Sequence, residues 1–246
     1  MSAPEISVVM PAHDEALLLE SSVRDVAIGL ESTGTPFEVV VVENGSRDAT
    51  RDIAVRLTRD YREVRLESLP RADYGAALRA GILAATGSSV VVFDVDYYDL
   101  EFLHAAVNDL GAGPSAPVIV VGSKRAAGAR DERPWYRRTV TAVLALLLRI
   151  GFGLRVSDTH GMKAMRRVPV EPVVRRCRSG RELFDTELVL RCERAGLGVA
   201  ERPVTVRERR PSRTPIWRRI PRTLIGLVGL RIILWRDRPR SEQYGA

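Results

Sequence analysis

The chain has 246 residues, 45% hydrophobic and 28% charged, so it suits one large α/β domain or two small ones with a sizeable core. Its net charge of +7 is uneven: between Arg202 and Arg240 twelve arginines face only Glu208 and Asp237, a local +10 against −3 for the remainder. Two cysteines, Cys177 and Cys192, form no metal-ligand pattern and leave room for at most one disulfide, with reduced thiols expected, and the longest uncharged apolar run, Thr139 to Leu148, is short of the ~20 residues needed to span a bilayer. The start of the chain carries no basic and apolar leader pattern, so a reduced, cytosolic setting is expected.

Taken in order, Ile6 to Met10 is a buried strand that Pro11 should stop. Asp14-Glu15-Ala16 then opens a helix to about Leu30, with acidic residues in its first turn. Phe37 to Val42 is a second strand, closed by Glu43-Asn44-Gly45-Ser46. Asp48 is placed to cap a helix running to about Tyr61. A short strand, Val64 to Glu67, precedes Tyr74-Gly75 and a helix from Ala76 to Ala85.

The fourth strand is the run Val90-Val91-Val92-Phe93-Asp94-Val95-Asp96. In extended chain, residues two apart face the same side, so Asp94 and Asp96 can address one point. Carboxylate oxygens suit hard divalent cations, which share their shell with substrate phosphates. A helix from about Leu100 to Leu110 follows.

This alternation reads as a mainly parallel, Rossmann-like sheet flanked by helices. His13-Asp14-Glu15, Glu43-Asn44 and Asp94-Asp96 then stand at the carboxyl ends of strands, along the edge where open α/β sheets bind ligands.

Val118 to Gly122 is another strand, ending in Ser123-Lys124-Arg125. Gly128 to Arg133 reads as a polar loop, and Trp135 to Leu148 as a helix. Arg137 and Arg138 oppose the dipole at its start, which points to an external anion. Asp158 to Lys163 is a polar turn before a basic segment, Leu183 to Ala195 a helix carrying Asp185 and Glu187, and Val199 to Val206 a last strand.

Domain organisation is expected as 1–210 for the main domain and 211–246 for a basic amphipathic tail. Helical spacing puts Ile216, Trp217, Ile220, Leu224, Leu227 and Val228 on one side and Arg218, Arg219 and Arg222 on the other, with Pro221 breaking the helix in two. That pattern fits an anionic membrane surface; no nucleic-acid module is visible, so no nucleic-acid partner is expected.

Four motifs resemble glycosyltransferase family 2, of GT-A fold, and within it the dolichyl- or polyprenyl-phosphate sugar synthases. Ser7-Val8-Val9-Met10-Pro11-Ala12-His13-Asp14-Glu15 is similar to that family's opening strand. Val41 to Thr50 resembles its V-V-D-D-G-S-x-D-x-T, with Glu43 in an Asp position. Tyr74 to Gly81 resembles its G-x-G-A-A-L-x-x-G, and Asp94-Val95-Asp96 its D-x-D. Asp158 to Lys163 is similar to its D-T-Q-x-G-F-K, one residue short and with His160 for Gln, and Phe184 to Glu187 to its F-D-x-E.

The resemblance implies an inverting, metal-dependent hexosyltransferase. Pro11, His13, Glu15, Glu43, Asn44 and Gly75 would hold a GDP- or UDP-sugar, with Asp94 and Asp96 binding Mg²⁺ or Mn²⁺ against its diphosphate. Lys124, Arg125 and Arg137 would meet acceptor phosphate or leaving diphosphate, and His160 would line the substrate site. Asp96, Lys163, Asp185 and Glu187 would form the reacting centre. The expected acceptor is a polyprenyl phosphate, reached by a peripheral protein at the inner face of the cell membrane; a homo-oligomer is compatible with this. A sugar hydroxyl acceptor would need a base, for which Asp185 or Glu187 is the candidate. The other readings are a nucleotidyltransferase, which would need an N-terminal Gly-rich phosphate loop, and a non-catalytic membrane-associated nucleotide-sugar-binding protein.

Overall fold

The structure, a computed structural model, describes residues 3–111, 113, 115–132, 134–180, 183–206 and 216–237. Nine strands and eight helices are described among them: β1 (Ile6–Ala12), α1 (Leu19–Glu31), β2 (Phe37–Asn44), α2 (Thr50–Asp60), β3 (Val64–Leu69), α3 (Tyr74–Ala84), β4 (Ser89–Val92), α4 (Leu100–Gly111), β5 (Ile119–Ser123), β6 (Arg130–Asp131), α5 (Trp135–Phe152), β7 (Lys163–Arg166), α6 (Arg167–Arg176), α7 (Phe184–Arg194), β8 (Val199–Pro203), β9 (Thr205–Val206) and α8 (Ile216–Arg236).

The β-branched runs build a seven-stranded sheet in the order β3-β2-β1-β4-β7-β5-β8. Every pairing is parallel except those of β7, which runs antiparallel between β4 and β5. The valines of β1, β2 and β4 alternate between two apolar layers, Val9, Val40 and Val92 toward α3 and α7, Val8, Val39 and Val91 toward α1 and α4. Burial on both faces is what their unbroken apolar character requires. Gly81 of α3 lies so close to the sheet that a Cβ there would meet Val9 Cγ1 at 2.3 Å, which sets α3 tight against the strands whose ends form the site.

Several expectations are corrected. β1 continues through Pro11 to Ala12 because its pairing with β4 ends at Val9, while pairing with β2 goes on to Glu43. α1 begins at Leu19 and not at Asp14, since Asp14 sits at φ 54° and its neighbours' amides bond to the β2–α2 loop. β4 stops at Val92, and Asp94 and Asp96 follow it in a turn closed by Asp94 and Tyr97 backbone bonds. Val95 between them is buried, while Asp94 and Asp96 are each half-buried.

The segment after Lys163 is no mere basic stretch but strand β7 and helix α6, and the expected last strand divides at Val204, its end pairing with β6 from the expected polar loop. α8 is continuous through Pro221. Its Leu227, Leu230 and Leu234 enter the core, while Leu224 and Val228 are exposed, so the six tail residues read as one face do not share one. The side chains of Ile216, Trp217, Arg218, Arg219 and Ile220 lie outside the described residues, as do 211–215 and 238–246.

Candidate active site

At the carboxyl edge of the sheet, two loops are stitched together by side chains. His13 Nδ1 lies 2.8 Å from the Asn44 carbonyl, the Asp14 amide donates to Ser46 Oγ, and the Arg47 amide donates to Asp14 Oδ1 at 2.7 Å. The Glu15 amide donates to Thr50 Oγ1, and Asp48 accepts the Ala16 and Thr50 amides. Buried Glu43 accepts the Ser46 amide at 2.6 Å, and Asn44 Oδ1 accepts the Asp73 amide at 2.9 Å, tying in the start of α3. Gly45 is held at φ +63°, where a Cβ would come within 2.9 Å of the Ala72 amide nitrogen. The loop can approach the connection between β3 and α3 only because no side chain is there. Pro11, His13, Glu15, Glu43 and Asn44 are thus gathered on one rim, with Gly75 buried in the first turn of α3 beside them.

The second group forms where β4, α3, β7 and α7 converge. Asp73 caps α3 by accepting the Ala76 amide, which aims Tyr74 so that its hydroxyl donates to Asp94 Oδ1 at 2.8 Å. Burial pushes the Asp94 carboxyl up to about 6; Tyr74 opposes this, Asp96 and Asp185 add to it, and Lys163 opposes it. Lys163 Nζ stands 2.9 Å from Asp185 Oδ1, both almost fully buried, and donates its aligned hydrogen bond to the Gly161 carbonyl at 2.7 Å. Three aspartates therefore share one region with one lysine. Burial likewise drives the Tyr74 phenol well above its ordinary value, reinforced by Asp94 and Asp185.

His160 borders this group. Burial holds its imidazole below the ordinary histidine value, against the pull of Asp185 and Asp158, so the neutral ring is the form present at pH 7. Its amide donates to Asp158 Oδ1, and its Nδ1 lies 3.1 Å from Thr159 Oγ1, which in turn meets Thr186 Oγ1 of α7.

The remaining expected residues divide. Lys124 turns inward to Asp158, 3.5 Å away. Burial alone would raise that carboxyl, yet Lys124 and the His160 side hold it below its usual range. Arg125 is exposed beside it, its amide turned over Ser123 Oγ. Arg137 stands on a separate element, in the first turn of α5. Glu187 is separated from Asp185: two residues apart on a helix is about 200° of rotation. Its oxygens are filled by the Arg178 and Ser179 amides and by Arg191 Nε at 2.7 Å, and Arg191 also bonds Asp237 at 2.6 Å. Glu187 ties the α6–α7 loop and the end of α8 to α7. Sequence reasoning missed Tyr74 as a partner of Asp94 and Asp73 as its cap; an Asp directly before a helical run was the signal available.

The crowd of carboxylates fits a divalent cation. Asp94 resists ionising chiefly because it is buried, with Asp96 and Asp185 adding to this, and hard oxygen donors are the set that Mg²⁺ and Mn²⁺ prefer. No group of three or more His, Cys, Asp or Glu among the described residues could hold a metal by itself, so ligand oxygens would have to complete the shell.

The family model for glycosyl transferase family 2 matches residues 7–172. The chain is 33% identical over 205 residues to glycosyltransferase AglD of Haloferax volcanii, covering 81% of this chain but only 32% of that protein. It is 29% identical over 229 residues to a dolichyl-phosphate beta-glucosyltransferase of Drosophila melanogaster, covering 87% of this chain and 70% of that one. An uncharacterized glycosyltransferase of Mycobacterium tuberculosis is 33% identical over 208 residues, with 83% and 86% covered. Among solved structures, glucosyl-3-phosphoglycerate synthase from Mycobacterium tuberculosis, in complex with Mn²⁺, UDP-glucose and phosphoglyceric acid, superposes with a TM-score of 0.66 at 22% identity, covering 93% of this chain and 80% of that one. This last likeness shows the fold, a GT-A arrangement, and nothing finer.

Proposed function

The chain belongs to glycosyl transferase family 2, and on that premise we propose that it moves a sugar from a GDP- or UDP-linked donor to a polyprenyl-phosphate acceptor at the inner face of the cell membrane. The observation that carries the transfer chemistry is the convergence of Asp94, Asp96 and Asp185 around Lys163 at the sheet edge. The likeness to a dolichyl-phosphate beta-glucosyltransferase supports the acceptor class. So does a cavity of about 370 Å³ between the α6–α7 loop and α8, with Gly226, Leu230 and Ile233 as apolar wall and Ser179 and Arg222 as polar ones. Its size is that of a small-ligand site, and Asp73, which caps the helix carrying Tyr74, also lines it.

In this reading Pro11, Glu15 and Glu43 hold the nucleoside, with His13, Asn44 and Gly75 shaping that rim. Asp94 and Asp96 hold Mg²⁺ or Mn²⁺, which when bound supplies positive charge against the departing diphosphate. A phosphate monoester oxygen is already ionised near neutrality and attacks the anomeric carbon as the bond to the diphosphate oxygen breaks, the nucleoside diphosphate leaving with the electron pair. In-line displacement inverts the centre. Arg125 and Arg137 steer the acceptor phosphate, and His160 as a neutral ring offers a hydrogen bond or a ligand nitrogen. Lys163 pairs with Asp185 at 2.9 Å and fixes it in place, so the acceptor meets an ion pair instead of a lone carboxylate.

A second reading rests on Asp185 alone. Its place beside the aspartate pair would let it take the proton of a hydroxyl acceptor, a role closed to the saturated Glu187. Incubation with labelled nucleotide sugars, Mn²⁺ and a short-chain prenyl phosphate separates the cases. Label extracted into organic solvent supports the lipid acceptor. Label in a water-soluble glycoside supports the hydroxyl acceptor. Nucleotide-sugar binding with no turnover of any donor would leave a non-catalytic binding protein.

A further inference from the structure

We propose that α5 and α8 together form a bilayer-docking face that seats the domain on anionic lipid. Fourteen large hydrophobic side chains are exposed among the described residues, and eleven of them lie on these two helices. α5 has only Leu148 buried along 18 residues, about 27 Å of helix. Trp135, Tyr136, Val143, Leu146, Leu147 and Ile150 recur at helical spacing on its outer side, so this is one continuous stripe. α8 is apolar on two sides. Leu227, Leu230 and Leu234 enter the core, while Leu224, Ile225, Val228, Ile232 and Trp235 face outward. A helix that is apolar nearly all round is covered by something on both sides.

The helices are neighbours. Arg231 donates from Nη1 to the Gly151 carbonyl at 2.7 Å, at the carboxyl end of α5, and its guanidinium lies 5.8 Å from the centre of the Phe152 ring. Arg231 stands on α8 between the buried and the outward side, so the outward stripe starts where α5 lies.

Charge decides the occupant. Every charged residue in α5 and α8 is arginine: Arg137, Arg138 and Arg149 in one, Arg218, Arg219, Arg222, Arg231 and Arg236 in the other. A second copy packed through this face would set arginine against arginine. An anionic leaflet meets both requirements, taking the apolar stripes into its boundary and the arginines at its headgroups. All three tryptophans of the chain fall in these helices, the residue type favoured at such boundaries. No described helix is long and apolar enough to cross a membrane, so the face lies on the surface. The inference deepens the acceptor reading, because α8, one of the two docking helices, also walls the cavity beside Asp73.

The test uses the full chain and vesicles without any polyprenyl phosphate, so docking and acceptor use fail separately. Intact protein should float with phosphatidylglycerol-containing vesicles, bind pure phosphatidylcholine less, and release as salt rises. Its tryptophan emission should shift blue and be quenched by bromine-labelled acyl chains. Leu146→Glu in α5 and Val228→Glu in α8 should each lower partitioning about tenfold, the scale of losing one buried aliphatic side chain. Val168→Glu, at an exposed apolar position off this face, should leave it unchanged. Wild-type partitioning by both face variants overturns the proposal, as does a lipid-free dimer that Leu146→Glu splits while vesicles are ignored. Docking here, together with no label passing to the prenyl phosphate in the separate transfer assay, would overturn the acceptor reading alone.

Discussion

Mn²⁺ binding in the presence of a nucleotide sugar should weaken about tenfold between pH 7 and pH 5, and Asp94 should be the reason. Its carboxyl, ordinarily near 3.8, is pushed up to about 6 by burial, with Asp96 and Asp185 adding and Tyr74 and Lys163 opposing. At pH 5 about nine in ten Asp94 side chains then carry a proton, and at pH 7 about one in ten. A cation must displace that proton, so the apparent association constant falls by about a factor of ten, or ~1.4 kcal/mol. The sign for stability follows from the same shift. A carboxyl that holds its proton more tightly folded than unfolded costs stability as pH rises from about 4 through 6, here up to ~3 kcal/mol for the metal-free protein. Mn²⁺ should therefore raise the melting temperature more at pH 7 than at pH 5. Tyr74→Phe removes the 2.8 Å hydrogen bond to the ionised carboxylate, and should move the whole transition up by about one to two pH units. Isothermal titration calorimetry in buffers of different ionisation heat counts the protons: about one released per cation at pH 5 and almost none at pH 7.5. His160→Gln separates any contribution from the imidazole, which is also held below its ordinary value. A flat Mn²⁺ affinity with no proton release, or a Tyr74→Phe protein that titrates like the parent, would refute the assignment.

Other outcomes follow from the same geometry. Asp185→Asn should abolish transfer and, by leaving buried Lys163 without its partner, cost ~3–5 kcal/mol, whereas Glu187→Gln should keep turnover at low temperature and lose ~2–4 kcal/mol, read by urea unfolding, because it weakens buried bonds to Arg191 and the Arg178 and Ser179 amides. Lys163→Met should cost ~3–5 kcal/mol by leaving Asp185 uncompensated, and adding Asp185→Asn should recover most of that stability without activity. Arg125→Ala and Arg137→Ala should raise the KM for a prenyl phosphate more than that for the nucleotide sugar; a change confined to the nucleotide sugar would move both residues to the donor side.

The parts of the fold that depend on local pattern were legible in the residues. The valine runs of β1, β2 and β4 need burial on both faces whatever surrounds them, so their parallel arrangement follows from sequence, and with it the edge that carries Glu43, Asp94 and Asp96. Elements whose existence depends on a partner were not. β7 has four residues, Lys163 to Arg166, and is a strand because β4 and β5 lie on either side of it. α6 holds Pro172 and a helix across it reads as broken until packing is known. The separation of Asp185 from Glu187 is in principle readable from helical rotation, but which of the two faces the site depends on where α7 docks.

The same limit explains the tail. Periodicity marks which residues share a side of α8, but not which of several apolar sides the core takes. Leu227, Leu230 and Leu234 won that place, and this left Leu224, Ile225 and Val228 outside. In α5 the apolar run from Val143 to Ile150 reads equally well as core, and only the fold shows that Leu148 alone is buried. An apolar residue turned outward costs little by itself, since folded surfaces are largely apolar already. Eleven of fourteen gathered on two adjoining helices whose only charges are arginines is a different matter, because scattered exposure needs no partner and concentrated exposure does. The site itself gives that partner a purpose. In the proposed function, the rim that gathers His13, Glu43 and Asn44 would need only a dissolved nucleotide, while a lipid phosphate would have to be brought to Asp94 from a leaflet. A domain that docks through α5 and α8 would hold at that leaflet the helix whose inner side walls the cavity beside Asp73, and the displaced nucleoside diphosphate would depart on the aqueous side.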